Sequence, residues 1–132
     1  MVRSPCTIAG VALDPVKFLH RPIAWILQQF DIAVRIHIIK RSDAGRDLHD
    51  HPWSFVTVLL HSGYIEHTPN GHFKRKQGDV IYHHYSDWHR LEIVPDHDPV
   101  VTLFITGPWK QKWGFLVDGK KMLAPEYHRR QS

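Results

Sequence analysis

A single cysteine, Cys6, stands in the 132 residues. It can form no intramolecular disulfide, and zinc sites built on paired thiolates are closed to the chain, so a reducing compartment is expected. No apolar run reaches the roughly 18 residues of a membrane-spanning helix, and the N-terminus shows no basic region followed by an apolar stretch and a small-residue cleavage site. A soluble, cytoplasmic protein without a membrane partner is the expectation. Charge of one sign is scarce as well: 17 Lys and Arg face 13 Asp and Glu, a net +4, and the basic residues cluster only at Lys74-Arg75-Lys76 and Arg129-Arg130. Nucleic-acid binding asks for a denser basic face, so no nucleic-acid partner is expected. Internal repeats, low-complexity tracts and glycine-rich phosphate loops are absent too.

Apolar material is ample. Hydrophobic residues make up 42% and charged residues 23%, enough to bury one core in one domain of this length. From Asp14 to Phe30, apolar residues recur at helical intervals, and Pro22 is expected to end or kink a helix near Arg21. From Ile32 onward the period changes to two: Val34, Ile36 and Ile38 alternate with Arg35 and His37. Short β-branched and aromatic runs follow at 55–60, 80–82, 91–94 and 100–106, separated by turn residues. Asn70-Gly71 and Asp118-Gly119 signal tight hairpins. The reading is an all-β sandwich or barrel of seven to nine strands, with its core at about 32–117, a short helical N-terminal segment over 1–31 and a disordered tail over 124–132.

Twelve histidines are the outlying number, and imidazole is the commonest protein ligand for transition metals. In Leu48-His49-Asp50-His51-Pro52-Trp53-Ser54-Phe55, side chains two apart share a strand face. His49 and His51 therefore project together and can hold one cation, while Asp50 and Pro52 face away. Pro52 cannot donate to a ladder, which places the segment at a strand start or edge. The third ligand is sought in 78–89, Gly78-Asp79 through Trp88-His89. There His89 opens the next strand, with His83 and His84 as competitors. His20, His37, His61, His67, His72, His97 and His128 are read as surface or turn residues without a role.

His-x-His at 49 and 51, Gly63 twelve residues on, Gly78-Asp79, and a histidine eleven residues past Gly78 resemble the two-motif signature of the cupin superfamily over roughly 32–107. The variant His49-Asp50-His51-Pro52-Trp53, with Gly107-Pro108 and Trp113-Gly114-Phe115, resembles a set of small microbial cupins of unassigned activity. The resemblance implies a double-stranded β-helix, or jelly roll, with one divalent transition metal at its open end, held by His49, His51 and His89. The glutamate that cupins commonly supply shortly after the second histidine is missing, its positions falling on Phe55 and Val56. Either three histidines suffice, or Glu66 from a neighbouring strand joins them as a ligand or as a base behind them.

Around such a centre, Trp53 and Phe55 are candidates for a substrate wall, or plain core. Arg35 faces either solvent, the more ordinary case, or the site, where its planar fork could pair with a substrate carboxylate or phosphate. Tyr64 and Tyr82 are candidate proton donors, with Glu66 as the candidate base. Iron is the first choice of metal and implies a small-molecule dioxygenase; zinc, manganese or nickel would imply Lewis-acid isomerase or lyase chemistry. A non-catalytic cupin that binds a small ligand, as a sensor would, is the reading from another class. The apolar N-terminal segment could cover a sheet edge and so support a homodimer.

Overall fold

The structure is a computed structural model that describes residues 11–13, 21–43, 47–94 and 98–131. Cys6, His20 and His97 lie outside these residues, as does the 14–20 part of the expected helical segment.

Ten strands occur among the described residues: β1 (Val11–Leu13), β2 (Ala33–Ile39), β3 (Phe55–His61), β4 (Tyr64–Thr68), β5 (Gly71–Arg75), β6 (Val80–His83), β7 (Arg90–Glu92), β8 (Val100–Thr106), β9 (Gly114–Val117) and β10 (Lys120–Leu123). Two helices, α1 (Arg21–Gln29) and α2 (Ala124–Gln131), complete the set. All strand pairs are antiparallel. One sheet runs in the order β1-β2-β8-β3-β6, a second in the order β5-β4-β7, and β9 pairs with β10. His49 stitches the last two together, since it bridges His89 on one side and Phe115 on the other. The two layers close over a shared apolar cluster that draws Ile39, Leu59, Ile81 and Val100 from the large sheet and Tyr64 and Ile93 from the facing one. This is the expected jelly roll.

Register orders the interior of the large sheet into rows. Ala33, Thr106, Phe55 and His83 align across β2, β8, β3 and β6; the next inward row is Arg35, Phe104, Thr57 and Ile81; then come His37, Thr102 and Leu59, and finally Ile39 with Val100. Burial follows the same alternation, with Phe55, Thr57 and Leu59 buried on β3 and Val100, Thr102, Phe104 and Thr106 on β8. One end of the interior is therefore apolar, the middle polar, and the other end aromatic and histidine-rich.

Three expectations are corrected. Pro22 does not end a helix; α1 begins at Arg21, and Pro22 occupies its first turn, where a missing N–H breaks no helical bond. The helix stops instead at Asp31, whose left-handed φ of 55° accompanies a hydrogen bond from Ile32 N–H back to the Leu27 carbonyl. The tail is ordered over 124–131: in α2 Tyr127 stacks on Phe115 at 3.8 Å and its hydroxyl donates to Asp47 at 2.8 Å. Composition hid this because only Ala124 and Tyr127 of this mostly polar helix are buried. At 68–71 the hairpin forms, but Pro69 and Asn70 make the turn and only Gly71 takes a positive φ. Asp118 and Gly119 both take the positive φ expected of a two-residue turn. Helix α1 leaves Trp25 61% exposed and the turn after it leaves Phe30 66% exposed, and no described helix is long and apolar enough to cross a membrane.

Candidate metal centre

His49, His51 and His89 converge. Each pair of rings is 4.9 Å apart between centroids at steep interplanar angles, and each residue offers one nitrogen within 4.8 Å of the other two. All three residues are buried. Two of the rings come from one extended segment and the third from the strand beside it. The reciprocal backbone bonds His49 N–H to His89 O at 2.8 Å and His89 N–H to His49 O at 2.9 Å fix that register.

The backbone of the His-x-His segment is held from the opposite side by Asp50. Its buried carboxylate accepts from Gly114 N–H at 2.7 Å, Gln111 Nε2 at 3.0 Å and Lys121 Nζ at 2.7 Å. Gln111 also donates to the carbonyls of His51 and Tyr85 at 2.8 Å. Asp50 therefore faces away from the histidines, as alternation requires. Gly114 is obligatory beside it, because a Cβ there would stand 2.2 Å from the Met122 carbonyl oxygen.

The donor set suits a transition metal. His49 Nδ1 and His51 Nδ1 are buried without a hydrogen-bond partner, which is unusual for interior polar atoms. Burial pushes both imidazoles well below their ordinary pKa, reinforced in each by His89, so the rings are neutral and able to ligate rather than mutually repelling cations. Asp43 Oδ2 lies 3.8 Å from His49 Nδ1 and is itself held by Leu91 N–H at 2.7 Å.

Glu66 is not a fourth member of this group. Fully buried, it gives Oε1 to Arg75 Nε at 2.9 Å and Nη2 at 2.8 Å, and Oε2 to His89 Nδ1 at 2.5 Å and His83 Nε2 at 2.6 Å. Burial alone would raise its pKa, but the bonds from His83 and His89 overcome that and hold it well below the usual carboxylate range. Glu66, His83 and His89 also form a three-donor group of their own. Arg75 already matches the one negative charge there, so the carboxylate acts as an anchor for His89, the usual partner of a metal-bound imidazole.

The other sequence candidates divide. Trp53 and Phe55 join Phe104 in one buried cluster, with His51 stacked on Trp53 at 5.5 Å and tilted against Phe55 at 4.4 Å. Wall and core are here the same residues. Arg35 shares the inward face of β2 with His37 and Ile39, the less ordinary of its two orientations. Tyr64 lies within the apolar cluster at the far end, and burial followed by the charge of Glu66 raises its pKa. Tyr82 is 63% exposed, because β6 turns Ile81 and His83 inward and therefore Val80 and Tyr82 outward. The structure brings neither tyrosine to the three histidines.

Two residues were missed. His37, read as a surface residue, is buried against the Phe104 ring at 4.6 Å. His83 reaches Glu66 rather than competing with His89. His37 is in phase with Ile39 but out of phase with Val34, Ile36 and Ile38, so alternation alone did not turn it inward, and the meeting of His83 with Glu66 joins two different sheets. His61 and His72 are exposed, His67 pairs with Glu92 at 2.6 Å, and the exposed His128 has its ring 5.6 Å from Phe115 and 6.3 Å from Trp113.

No protein-family model matches the sequence, and no curated protein matches it either. Solved structures do. The polyketide cyclase RemF from Streptomyces resistomycificus aligns with a TM-score of 0.57 at 12% identity, covering 76% of this chain and 68% of that one. A protein provisionally named a mannose-6-phosphate isomerase from Ralstonia eutropha JMP134 aligns with a TM-score of 0.56 at 13% identity, covering 77% and 87%. A cupin domain from Bordetella pertussis Tohama I aligns over 58% of this chain and 81% of its own, at 16% identity and a TM-score of 0.46. At these identities likeness speaks to fold alone.

Proposed function

We propose that this chain, a cupin in fold, is a metal-dependent enzyme acting on a small molecule, with His49, His51 and His89 as the metal ligands. The observation that carries this reading is the meeting of three buried imidazoles, two of them with unpartnered Nδ1 atoms, in an aromatic interior. A divalent ion there would supply Lewis-acid activation of a substrate oxygen or, if it is iron or copper, a place for dioxygen. Everything else is the work of the chain. Glu66 accepts the proton-bearing Nδ1 of His89 and leaves its Nε2 as the ligating atom. Asp50 sets the backbone that carries His49 and His51. Trp53, Phe55 and Phe104 exclude water and offer a flat apolar wall to a carbon skeleton.

The neutral donor set favours the Lewis-acid branch. Three imidazoles leave the charge of a divalent ion undiminished, whereas the two-histidine, one-carboxylate triad of many iron oxygenases would need Glu66, which Arg75, His83 and His89 already engage. The names of the cyclase and of the provisional isomerase accord with that branch. The test is reconstitution of untagged, chelator-stripped protein with zinc, manganese, nickel and ferrous iron, followed by elemental analysis and thermal unfolding. One equivalent of metal and a higher midpoint are expected, since a ligand that binds only the native state stabilises it. Failure of every ion to bind would refute the metal reading. Substrate-dependent oxygen consumption by the iron form would move the assignment to the dioxygenase branch.

A further inference from the structure

The inner face of the small sheet carries the fully buried Glu66; one residue on, the outer face carries a histidine pair that the interior centre does not use. His67 on β4 stands directly opposite His72 on β5, at the base of the 68–71 hairpin. The turn is braced: Thr68 Oγ1 accepts from Asn70 N–H at 3.1 Å and donates to the Gly71 carbonyl at 3.0 Å. The two imidazoles are 4.9 Å apart between centroids, and their Nδ1 atoms face each other at 3.1 Å. On its other side His67 gives Nε2 to Glu92 of β7 at 2.6 Å.

We propose that His67 and His72 form a second metal site, on the outside of the barrel, that takes a borderline transition ion such as zinc or copper(II) through the two Nδ1 atoms. The site shares no ligand with the three-histidine centre and stands without it.

Proton placement prepares the pair. A carboxylate can only accept, so Glu92 holds the proton of a neutral His67 on Nε2 and leaves its Nδ1 lone pair bare. The same carboxylate–imidazole arrangement orients histidines that bind metals. His72 then donates its Nδ1 proton across the 3.1 Å gap. Because His72 is exposed, that proton can move to its Nε2 and meet water, and an ion takes the place of one shared proton. Spacing agrees as well. Two nitrogens bound to a tetrahedral ion at about 2.0–2.1 Å stand about 3.3–3.4 Å apart. A turn of the exposed His72 ring and a few tenths of an ångström therefore convert the hydrogen bond into a chelate, on strands that the hairpin has already fixed.

The surrounding charge selects the class of ion. Arg90 stands opposite His67 on β7, and Lys74 shares the outer face of β5 with His72. Both oppose a cation held by charge alone, and Glu92 is engaged by His67, so magnesium and calcium lack the oxygen ligands they need. Imidazole pairs suit zinc, copper and nickel. With two protein ligands and water in the other positions, the ion is held more weakly than by three buried imidazoles, and desalting removes it while the interior centre keeps its one equivalent.

The test uses full-length protein loaded with zinc and desalted, then titrated with further zinc chloride while 1H–15N NMR reads the ring nitrogens of His67 and His72. Both Nδ1 resonances should shift together and saturably, with His67 Nε2 still protonated, and magnesium at the same concentrations should move neither. His72→Gln should abolish the response of His67. Glu92→Ala should weaken zinc by at least about tenfold, as loss of a partner behind a ligand does, and Glu92→Gln, which can still accept from His67, should lose less. Thermal unfolding shows whether each variant is folded, and His67→Gln, read at His72, replaces His72→Gln if that one is not. Rings unmoved by a large excess of zinc, binding through His67 Nε2, an equal response to magnesium, an unchanged His67 response in His72→Gln, or unchanged affinity in Glu92→Ala would overturn the proposal. If the interior centre retains no zinc, the same titration starts from metal-free protein and reads the outer pair unchanged, so either site can fail alone.

Discussion

Glu66→Gln removes one charge and exchanges one oxygen for an amide at the point where four donors meet. In the native protein the ionised carboxylate can only accept, so the proton of His89 resides on Nδ1 and its Nε2 is the atom open to a metal. Glutamine would keep its carbonyl on the Arg75 fork, at the positions now 2.8 and 2.9 Å away. Its NH2 would then face His89 and His83, and His89 would have to accept through Nδ1 and carry its proton on Nε2. A protonated nitrogen cannot ligate. Losing such a partner lowers metal affinity by about 10- to 100-fold. Stability falls as well: breaking a fully buried ion pair costs about 3–5 kcal/mol, but the Arg75 side chain is 24% exposed and Gln keeps part of the bonding, so about 1–3 kcal/mol is expected. Chelator competition measures zinc affinity, and urea unfolding of metal-free protein measures stability. Zinc affinity in Glu66→Gln within about threefold of the native value, far inside that range, would refute the role given to the carboxylate.

Other predictions concern single elements. His37 is neutral when buried and has an ordinary pKa of 6.5 when unfolded, so below that pH the unfolded chain binds a proton the native one does not, and stability falls until about pH 4. The loss attributable to His37 is about 3 kcal/mol. Urea unfolding of metal-free protein at pH 7.5 and 4.5 should show a smaller drop in His37→Gln, and an equal drop would contradict its burial in the neutral form. Gly114→Ala should destabilise by about 1–3 kcal/mol through the clash with the Met122 carbonyl, measured by the urea midpoint. Tyr127→Ala should cost about 3 kcal/mol by removing the ring stacked on Phe115; a change under about 0.5 kcal/mol, the size of an ordinary surface substitution, would show that α2 is not docked. Tyr82→Phe should leave zinc affinity unchanged, because its ring is on the outer face of β6.

Period two made the β architecture readable, and the His-x-His spacing made His49 and His51 readable, because a strand has only two faces and both residues must share one. His89 came from its distance beyond Gly78-Asp79. What alternation could not decide was which face of β2 is inside. Both faces carry apolar residues, Val34, Ile36 and Ile38 on one and Ile39 on the other, and β1 pairs along the strand's edge. Arg35 and His37 therefore looked as ready for water as for the interior. Glu66 and His83 posed a different difficulty: their meeting depends on β4 and β6 belonging to different sheets that close over each other, a long-range fact with no local signature. The C-terminal helix was hidden for a similar reason, since Tyr127, finding Phe115 and Asp47, and the buried Ala124 anchor it.

The most direct measurement of the central claim is the X-ray absorption spectrum of the zinc-loaded protein. Three imidazole nitrogens at about 2.0–2.1 Å, with no protein carboxylate in the shell, are predicted. A shell with two imidazoles, or one completed by a glutamate oxygen, would contradict the arrangement drawn from His49, His51 and His89.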